Sequence, residues 1–201
     1  MFLRAPEAHT GCLSPILYNV GMKKTPAVCL LGLLIAIPAL SAKNSAVDAA
    51  NAKSLALVGK LAPGFALQDF QQQSFSLEAE RGHVVVLAFW ATWCPPCRAE
   101  LPAFDSMRKE LTSTGVELIT VAFDDPAKAQ DFLAKKNLTL RCLNDQSGSV
   151  AALYGAHALP RTFVIGRDGT VTKAYVGKVS ASELRSAVAQ ATKPAVSTPG
   201  N

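Results

Sequence analysis

Short apolar runs alternate with helical patterns through most of this chain after residue 60. The runs at residues 83–90, 116–123 and 138–143 are rich in β-branched and aromatic side chains and have the length of strands. After the first run, apolar residues recur at helical spacing, at Leu101, Phe104, Met107 and Leu111. Asp124-Asp125-Pro126 then indicates a turn and a helix start, and a second helical pattern covers residues 127–136. This alternation of strands and helices is typical of an α/β protein.

The C-terminal part predicts a hairpin followed by a helix. Residues 162–165 and 170–176 flank Arg167-Asp168-Gly169, which is a strong hairpin signal. Ser180 and Glu183 have the spacing of a capping box, and apolar residues continue at helical spacing behind them. The strands of a hairpin are antiparallel, whereas strands joined by helices are parallel. We therefore expect a mixed sheet covered by helices on both faces.

Two smaller elements complete the predicted fold. Ahead of the first buried strand, apolar residues alternate with polar ones around residues 65–67 and again around residues 75–77, which indicates an added N-terminal β-hairpin. A short helix is expected over residues 149–154, ending at Gly155.

The pattern of the N-terminal segment indicates a targeting signal rather than part of the domain. Met22-Lys23-Lys24, an apolar run and Leu40-Ser41-Ala42 follow one another in the order of a secretory signal. Residues 22–42 are therefore predicted to be a signal peptide cleaved after Ala42, or an uncleaved signal anchor. Residues 1–21 are interpreted as a mis-assigned start or an N-terminal extension.

The rest of the chain divides into three parts. Residues 43–60 are small, polar and rich in alanine, and we expect them to form a tether. Residues 61–192 have the size and pattern of one domain with a substantial core. Residues 193–201 are rich in proline and serine, and we expect a loose tail.

Charge and cysteine content narrow the possible functions. The chain has 20 Lys and Arg against 15 Asp and Glu, without a basic cluster, which argues against a nucleic-acid partner. Of its five cysteines, only Cys94, Cys97 and Cys142 lie after the predicted signal. An exported chain with so few cysteines suggests one working pair and one extra residue rather than a disulfide scaffold. Cys142 is interpreted as a buried small hydrophobe.

The segment Cys94-Pro95-Pro96-Cys97 lies where the first buried strand passes into a helix. The free N–H groups and dipole of a helix N-terminus stabilise an anion there, such as the thiolate of Cys94. Pro95 and Pro96 suit the first helical turn, where no backbone N–H bond is lost. Cys94, partly exposed, can attack a partner disulfide, and Cys97, one turn later, can resolve the mixed disulfide. The motif thus predicts a redox pair.

Other interpretations of the pair remain open at this point. A zinc site would need two more ligands, and the remaining candidates, Cys142, His83 and His157, are irregularly spaced. A purely structural disulfide would close so small a loop that it would stabilise little. The pair could also hold a soft ion such as Cu(I) for delivery.

Three motifs resemble the exported, TlpA/ResA-like thiol–disulfide oxidoreductases of the thioredoxin superfamily. They are Ala62-Pro63-Gly64-Phe65, residues 89–97 and residues 159–165, within a similarity that runs from about Leu61 to Ala191. The resemblance implies a thioredoxin-like fold and a redox-active Cys94–Cys97 disulfide, without a cofactor or metal. It also implies protein thiol or disulfide substrates and a membrane electron donor.

The resemblance assigns further roles around the cysteines. It implies that Pro160 is cis and that Leu159-Pro160 forms a floor on which a substrate peptide docks, beside Trp93, Pro95 and Pro96. It also implies that Glu100, on the same helical face as Cys97, adjusts the thiol pKa values and shuttles a proton. From the residues alone, Glu100 could equally be an ordinary surface carboxylate near a helix N-terminus.

The predicted function is that of a periplasmic or otherwise exported oxidoreductase, membrane-anchored if the signal stays uncleaved. We expect a reductant in cytochrome c or copper-protein assembly, with an oxidase and a Cu(I) carrier as alternatives. Residues 89–92 lack the proline that thioredoxin-fold peroxidases place ahead of their cysteine, which disfavours a peroxidase. Residues 158–162 depart from the Gly-x-Pro-Glu-Thr loop of dedicated cytochrome c maturation reductases, so the resemblance extends to the wider family only.

Overall fold

The computed structural model describes residues 45–111 and 114–193. The predicted extension at residues 1–21, the predicted signal at residues 22–42 and residues 194–201 of the expected tail lie outside the described residues. Within the described ranges, no helix is both long enough and apolar enough to cross a membrane.

Five strands form the central sheet. They are β3 (Val84–Trp90), β4 (Val116–Ala122), β5 (Arg141–Asn144), β6 (Arg161–Ile165) and β7 (Val171–Val176). Their order across the sheet is β5-β4-β3-β6-β7. The first three run parallel, whereas β6 pairs antiparallel with both β3 and β7. The mixed sheet expected from the sequence is therefore confirmed.

The described residues also contain one short 3-10 helix, Glu78–Glu80, and five α-helices. The α-helices are α1 (45–55 in its described part), α2 (Pro95–Leu111), α3 (Pro126–Lys135), α4 (Ser149–Leu153) and α5 (Ala181–Thr192). Asp125 caps α3 by accepting the N–H groups of Ala127 and Lys128. The capping box predicted at Ser180 and Glu183 is present at the start of α5, with both of its hydrogen bonds formed.

A small antiparallel hairpin precedes the sheet. Its strands are β1 (Ala66–Gln68) and β2 (Ser74–Ser76), and Leu67 lies opposite Phe75. Asp69 shapes the connection between them, because its carboxylate accepts the backbone N–H groups of Gln71 and Gln73 at 2.9 Å each.

The central strand β3 is buried on both faces, which explains its uninterrupted apolar sequence. Successive residues of the strand face opposite sides of the sheet, so that Trp90 packs in one hydrophobic core and Phe89 in a second. The core on the Trp90 side is closed by residues of α2, α3 and α5. The core on the Phe89 side is closed by the hairpin and α4. The two cores hold β3 and the start of α2 in fixed positions.

Strand β5 begins later than the apolar pattern predicts. The expected strand was residues 138–143, but pairing starts only at Arg141. The N–H of Leu138 donates to the carbonyl of Leu133 at 2.9 Å and completes the end of α3. The N–H of Thr139 donates to the Asp105 carboxylate at 2.7 Å. These two N–H groups are thus used in local bonds and do not join the sheet.

The structure also differs from the expected tether over residues 43–60. Residues 45–55 form α1, and Ser54 on this helix is fully buried. Its hydroxyl donates to the carbonyl of Tyr154 at 2.8 Å. The helix attaches through small and polar residues rather than through a large apolar face, so hydrophobic periodicity gave no signal for it.

Candidate active site

The cysteine pair lies at the junction of β3 and α2. The strand ends at Trp90 and the helix begins at Pro95, so Cys94 immediately precedes the first helical turn. A disulfide joins Cys94 to Cys97, with the Cα atoms 5.3 Å apart. Pro95 and Pro96 occupy the first two helical positions, as predicted, and both are exposed.

Backbone groups of the first helical turn are directed at Cys94. The N–H of Cys97 donates to the Sγ atom of Cys94 at 3.3 Å. The carbonyl of Cys94 accepts the N–H of Arg98 at 3.1 Å, and its own N–H donates to the carbonyl of Ala91 at 3.1 Å. In the reduced protein, the same helix N-terminus would favour a negative charge on Sγ of Cys94.

Both cysteines are more enclosed than the sequence suggested. The exposed fraction is 4% for Cys94 and 1% for Cys97. The expectation that Cys94 is partly exposed is therefore wrong for the disulfide form. Both residues belong to the core cluster that contains Trp90 and Leu101, and this packing covers most of their surface.

The loop between β3 and α2 is held by an acid that sequence reasoning treated only as a turn residue. Asp124 follows β4, and its Oδ2 atom accepts the backbone N–H of Thr92 at 2.7 Å and the hydroxyl of Thr92 at 2.6 Å. β4 lies beside β3 in the sheet, so the end of β4 comes close to the loop that carries Cys94. The Thr92–Asp124 contact thereby fixes the approach to the active-site helix.

An aromatic edge lies beside the cysteines. Trp93 is 60% exposed, although it immediately precedes a buried cysteine. Its ring contacts Phe123 edge-on, with the centroids 6.1 Å apart, and Phe123 contacts the exposed His157 in the same way at 6.0 Å. An exposed Trp whose ring is held in place by a neighbouring aromatic ring is suited to binding a partner chain.

The Leu159–Pro160 peptide bond is cis, and Pro160 is buried. The carbonyl of Pro160 accepts the N–H of Gly177 at 3.1 Å and Nη1 of Arg161 at 3.0 Å. Leu159 is partly buried and packs against both cores, including the one that contains Cys94. Within residues 45–111 and 114–193, the backbone N–H and carbonyl of Leu159 make no hydrogen bond.

Glu100 is buried on α2, with 4% of its surface exposed. Its Oε1 atom accepts the backbone N–H of Val179 in a short hydrogen bond. Burial raises the pKa of Glu100 to about 7, against the opposing effects of the Val179 hydrogen bond and the positive charge of Lys178. The interpretation of Glu100 as an ordinary surface carboxylate is therefore wrong. With this pKa its carboxyl group can exchange a proton near neutral pH.

The residues weighed as zinc ligands are not gathered together. The described part of the chain holds no cluster of three or more His, Cys, Asp and Glu side chains that could bind a metal ion. Cys142 is buried in β5, and burial raises the pKa of its thiol to about 11. His83 and His157 are both exposed. Cys142 therefore resembles the buried small hydrophobe expected from the sequence.

Comparisons with known proteins identify the family of this chain. The model of the AhpC/TSA family matches residues 58–174. The thiol-disulfide oxidoreductase ResA of Geobacillus thermodenitrificans is 32% identical over 134 residues, which are 66% of this chain and 77% of that relative.

Two solved structures extend the comparison. A Chlorobium tepidum protein assigned as a thiol:disulfide interchange protein DsbE is 32% identical with a TM-score of 0.63, covering 68% of this chain and 98% of its own. A secreted Mycobacterium tuberculosis disulfide oxidoreductase is 28% identical with a TM-score of 0.57, covering 63% of this chain and 95% of its own. The chain belongs to the AhpC/TSA family and is a thioredoxin-like thiol–disulfide oxidoreductase of the ResA and DsbE type.

Proposed function

We propose that this protein is an exported reductant of protein disulfides that acts in the assembly of cytochrome c or of copper proteins. The observation that carries the proposal is the Cys94–Cys97 disulfide at the N-terminus of α2, with the Cys97 N–H directed at Sγ of Cys94. A disulfide closing so short a loop stabilises little, whereas its place at a helix start suits thiolate chemistry.

The reaction has two exchange steps. In the reduced protein, the Cys94 thiolate attacks one sulfur of a partner disulfide, so that a Cys94–partner bond forms and the second partner sulfur leaves as a thiolate. Cys97 then loses its proton and attacks Sγ of Cys94, which releases the partner as a dithiol. The protein ends in the disulfide form that the structure shows. Two electrons and two protons from a membrane-bound dithiol donor would restore the reduced pair.

Glu100 is proposed to accept the proton of Cys97 in the second step. The two residues are three positions apart on α2, so their side chains share one face of the helix, and both are buried. Because the pKa of Glu100 is raised to about 7, its carboxylate can take up a proton near neutral pH and release it again.

The partner chain is proposed to dock along Leu159-Pro160. The backbone groups of Leu159, without a hydrogen bond in the described structure, are suited to pair with an extended segment that carries the target cysteine. Trp93, Pro95 and Pro96 are exposed on the cysteine side and would contact the residues flanking that cysteine.

Export is supported by the sequence and by one relative. Residues 22–42 have the features of a secretory signal, and one similar solved protein is a secreted disulfide oxidoreductase. A role as reductant, rather than as oxidase, is proposed from the family resemblance, because the cysteine motif itself does not fix the redox direction.

The test is to trap partners with Cys97→Ser, which keeps the attacking thiol and removes the resolving one. Cys94 should then accumulate as mixed disulfides with its partners in the exported compartment, visible on gels without reductant and lost with it. The matched control is the double variant Cys94→Ser/Cys97→Ser, which should trap nothing.

Mass spectrometry of the trapped proteins separates the possible roles. Haem-binding apocytochromes or copper-protein thiols would support an assembly reductant, whereas a broad set of secreted proteins would contradict that role in favour of general oxidation or repair. If Cys97→Ser forms no reducible adducts while the wild-type protein binds Cu(I) tightly, the oxidoreductase proposal fails and metal delivery replaces it.

A further inference from the structure

Arg161 is a buried cation next to the docking proline. It is the first residue of β6, it directly follows Pro160, and only 2% of its surface is exposed. Among residues 45–111 and 114–193, no carboxylate forms an ion pair with it. A guanidinium group in this position carries a desolvation cost that an apolar side chain of similar size would avoid.

The guanidinium group joins two distant parts of the chain. Nη1 donates to the carbonyl of Pro160 at 3.0 Å. On its other side, Nε donates to the hydroxyl of Ser54 at 3.2 Å, and Nη2 donates to Oδ1 of Asn51 in a short hydrogen bond. Ser54 and Asn51 lie one turn apart on α1, so Arg161 connects the carbonyl of the docking proline to the N-terminal helix.

Helix α1 packs closely against the turn that follows α4. The hydroxyl of Ser54 also contacts the carbonyls of Tyr154 and Gly155, at 2.8 and 3.2 Å. Gly155 has a φ of +65°, and a Cβ atom there would lie 2.6 Å from the carbonyl oxygen of Ala50. Only glycine allows this approach, so α1 lies directly on the turn after α4.

A side chain that merely filled the space would need none of these bonds. The three donors of Arg161 are shared between one acceptor on the docking loop and two on α1, all of them neutral. Burial correspondingly lowers the pKa of Arg161. What the arginine provides is a rigid connection between the two segments, because its planar group holds its donors in a fixed geometry.

We propose that Arg161 is a positioning residue that makes α1 part of the substrate-docking floor. By fixing the Pro160 carbonyl from the interior, it holds the preceding residue, Leu159, so that its free N–H and carbonyl are presented to a substrate segment. The proposal rests on the docking role of Leu159-Pro160 under the proposed function. It adds that the contacts of α1 determine affinity for protein substrates, although α1 touches none of the reacting sulfurs.

The test compares a docked substrate with one that needs no docking. Reduction of a disulfide-bonded peptide is measured in the steady state with dithiothreitol as the electron source. The small disulfide 5,5′-dithiobis(2-nitrobenzoic acid), which dithiothreitol reduces directly, is instead mixed with pre-reduced protein freed of dithiothreitol, and a single turnover is followed. Asn51→Ala removes one acceptor of Arg161, and alanine favours a helix, so folding should be preserved. The matched control is Asp48→Ala, an exposed residue one turn earlier on α1.

Asn51→Ala should raise the KM for the peptide about threefold to tenfold, the range expected for one lost hydrogen bond, with little change in kcat. The rate with the small disulfide should stay unchanged, and Asp48→Ala should match the wild type with both substrates. Arg161→Met should raise the peptide KM further, and Arg161→Lys should restore part of the affinity. Amide exchange of residues 157–163 should be faster in Asn51→Ala than in Asp48→Ala.

Two results would overturn the inference alone. In the first, Asn51→Ala and Arg161→Lys keep the wild-type peptide KM. In the second, the variants lose activity equally with the peptide and with the small disulfide, which indicates a general structural defect. A wild-type protein that reduces neither substrate would instead contradict the proposed function itself, and the inference would fall with it.

Discussion

The backbone N–H of Cys97 donates to Sγ of Cys94 at 3.3 Å, across the first turn of α2. The contact places a fixed donor on the sulfur that becomes the nucleophile after reduction, so no reorganisation is needed to stabilise its charge. It also distinguishes the two cysteines, because Cys97 lies inside the helix and supplies the N–H that serves Cys94.

Replacement of the buried carboxylate tests the proposed proton transfer. Glu100→Gln keeps the size of the side chain and an acceptor for the Val179 N–H, but it cannot ionise. The pH dependence of disulfide exchange should therefore lose its inflection near pH 7, and the rate at neutral pH should fall about tenfold to a hundredfold. Stopped-flow kinetics of the reduced protein with a peptide disulfide measures both.

The control for this variant is Glu110→Gln, which changes an exposed carboxylate on the same helix. Its exchange rates should equal those of the wild type at every pH. If Glu100→Gln also follows the wild-type curve, Glu100 has no part in proton transfer and its burial is only structural.

The same residue should make the folded protein less stable as the pH rises from about 4.5 to above 7. Because the pKa of Glu100 is raised from 4.5 to about 7 in the folded protein, its contribution is fully present below about pH 4.5 and is lost as the pH rises through about 7. Glu100→Gln should remove this loss, which is on the order of 3 kcal/mol.

Urea unfolding of the oxidised protein at about pH 4.5 and about pH 8 measures this effect. The free energy of unfolding of Glu100→Gln minus that of the wild type should be larger at about pH 8 than at about pH 4.5. An equal difference in the free energy of unfolding at both pH values would mean that the raised pKa of Glu100 is wrong.

Two neighbouring acids offer a matched pair for testing the loop before Cys94. Asp124→Ala removes the acceptor of both Thr92 bonds and should slow exchange about tenfold through misplacement of the loop. Asp125→Ala removes the cap of α3 and an exposed ion pair with Lys128, and it should cost about 1 kcal/mol of stability with exchange unaffected. Exchange rates and urea unfolding of both variants give the comparison. Equal slowing by the two substitutions would contradict a specific role for Asp124.

The strands and the redox pair could be predicted from the sequence, because each depends on residues that are close together in the chain. Residues of β3 are apolar on both faces, and the cysteines follow the end of the strand by four and seven positions. Periodicity and spacing report such features directly. Pro160 and its cis bond were expected only through the family resemblance, since base rates for a proline favour trans.

The features that were missed depend on contacts between distant parts of the chain. Glu100 was assigned a role only through the family resemblance; its burial could not be told from a surface position on α2, because its hydrogen-bond partner, the N–H of Val179, lies in a distant segment. Helix α1 is held by Ser54 and Asn51 against Arg161, more than a hundred residues away. Asp124 was interpreted as a turn residue because its partner, Thr92, lies on another strand's loop. Single polar contacts of this kind leave no periodic signal.

Competitive alkylation of the reduced protein tests the central claim most directly, which is that Cys94 alone is the attacking thiol. With a small electrophile from about pH 6 to about pH 8, mass spectrometry should find Cys94 labelled first, because the helix N-terminus favours its thiolate. Cys97 should follow slowly, and Cys142 should stay unmodified in the folded protein, because it is buried and its pKa is about 11. Labelling of Cys97 or Cys142 ahead of Cys94 under native conditions would contradict the account.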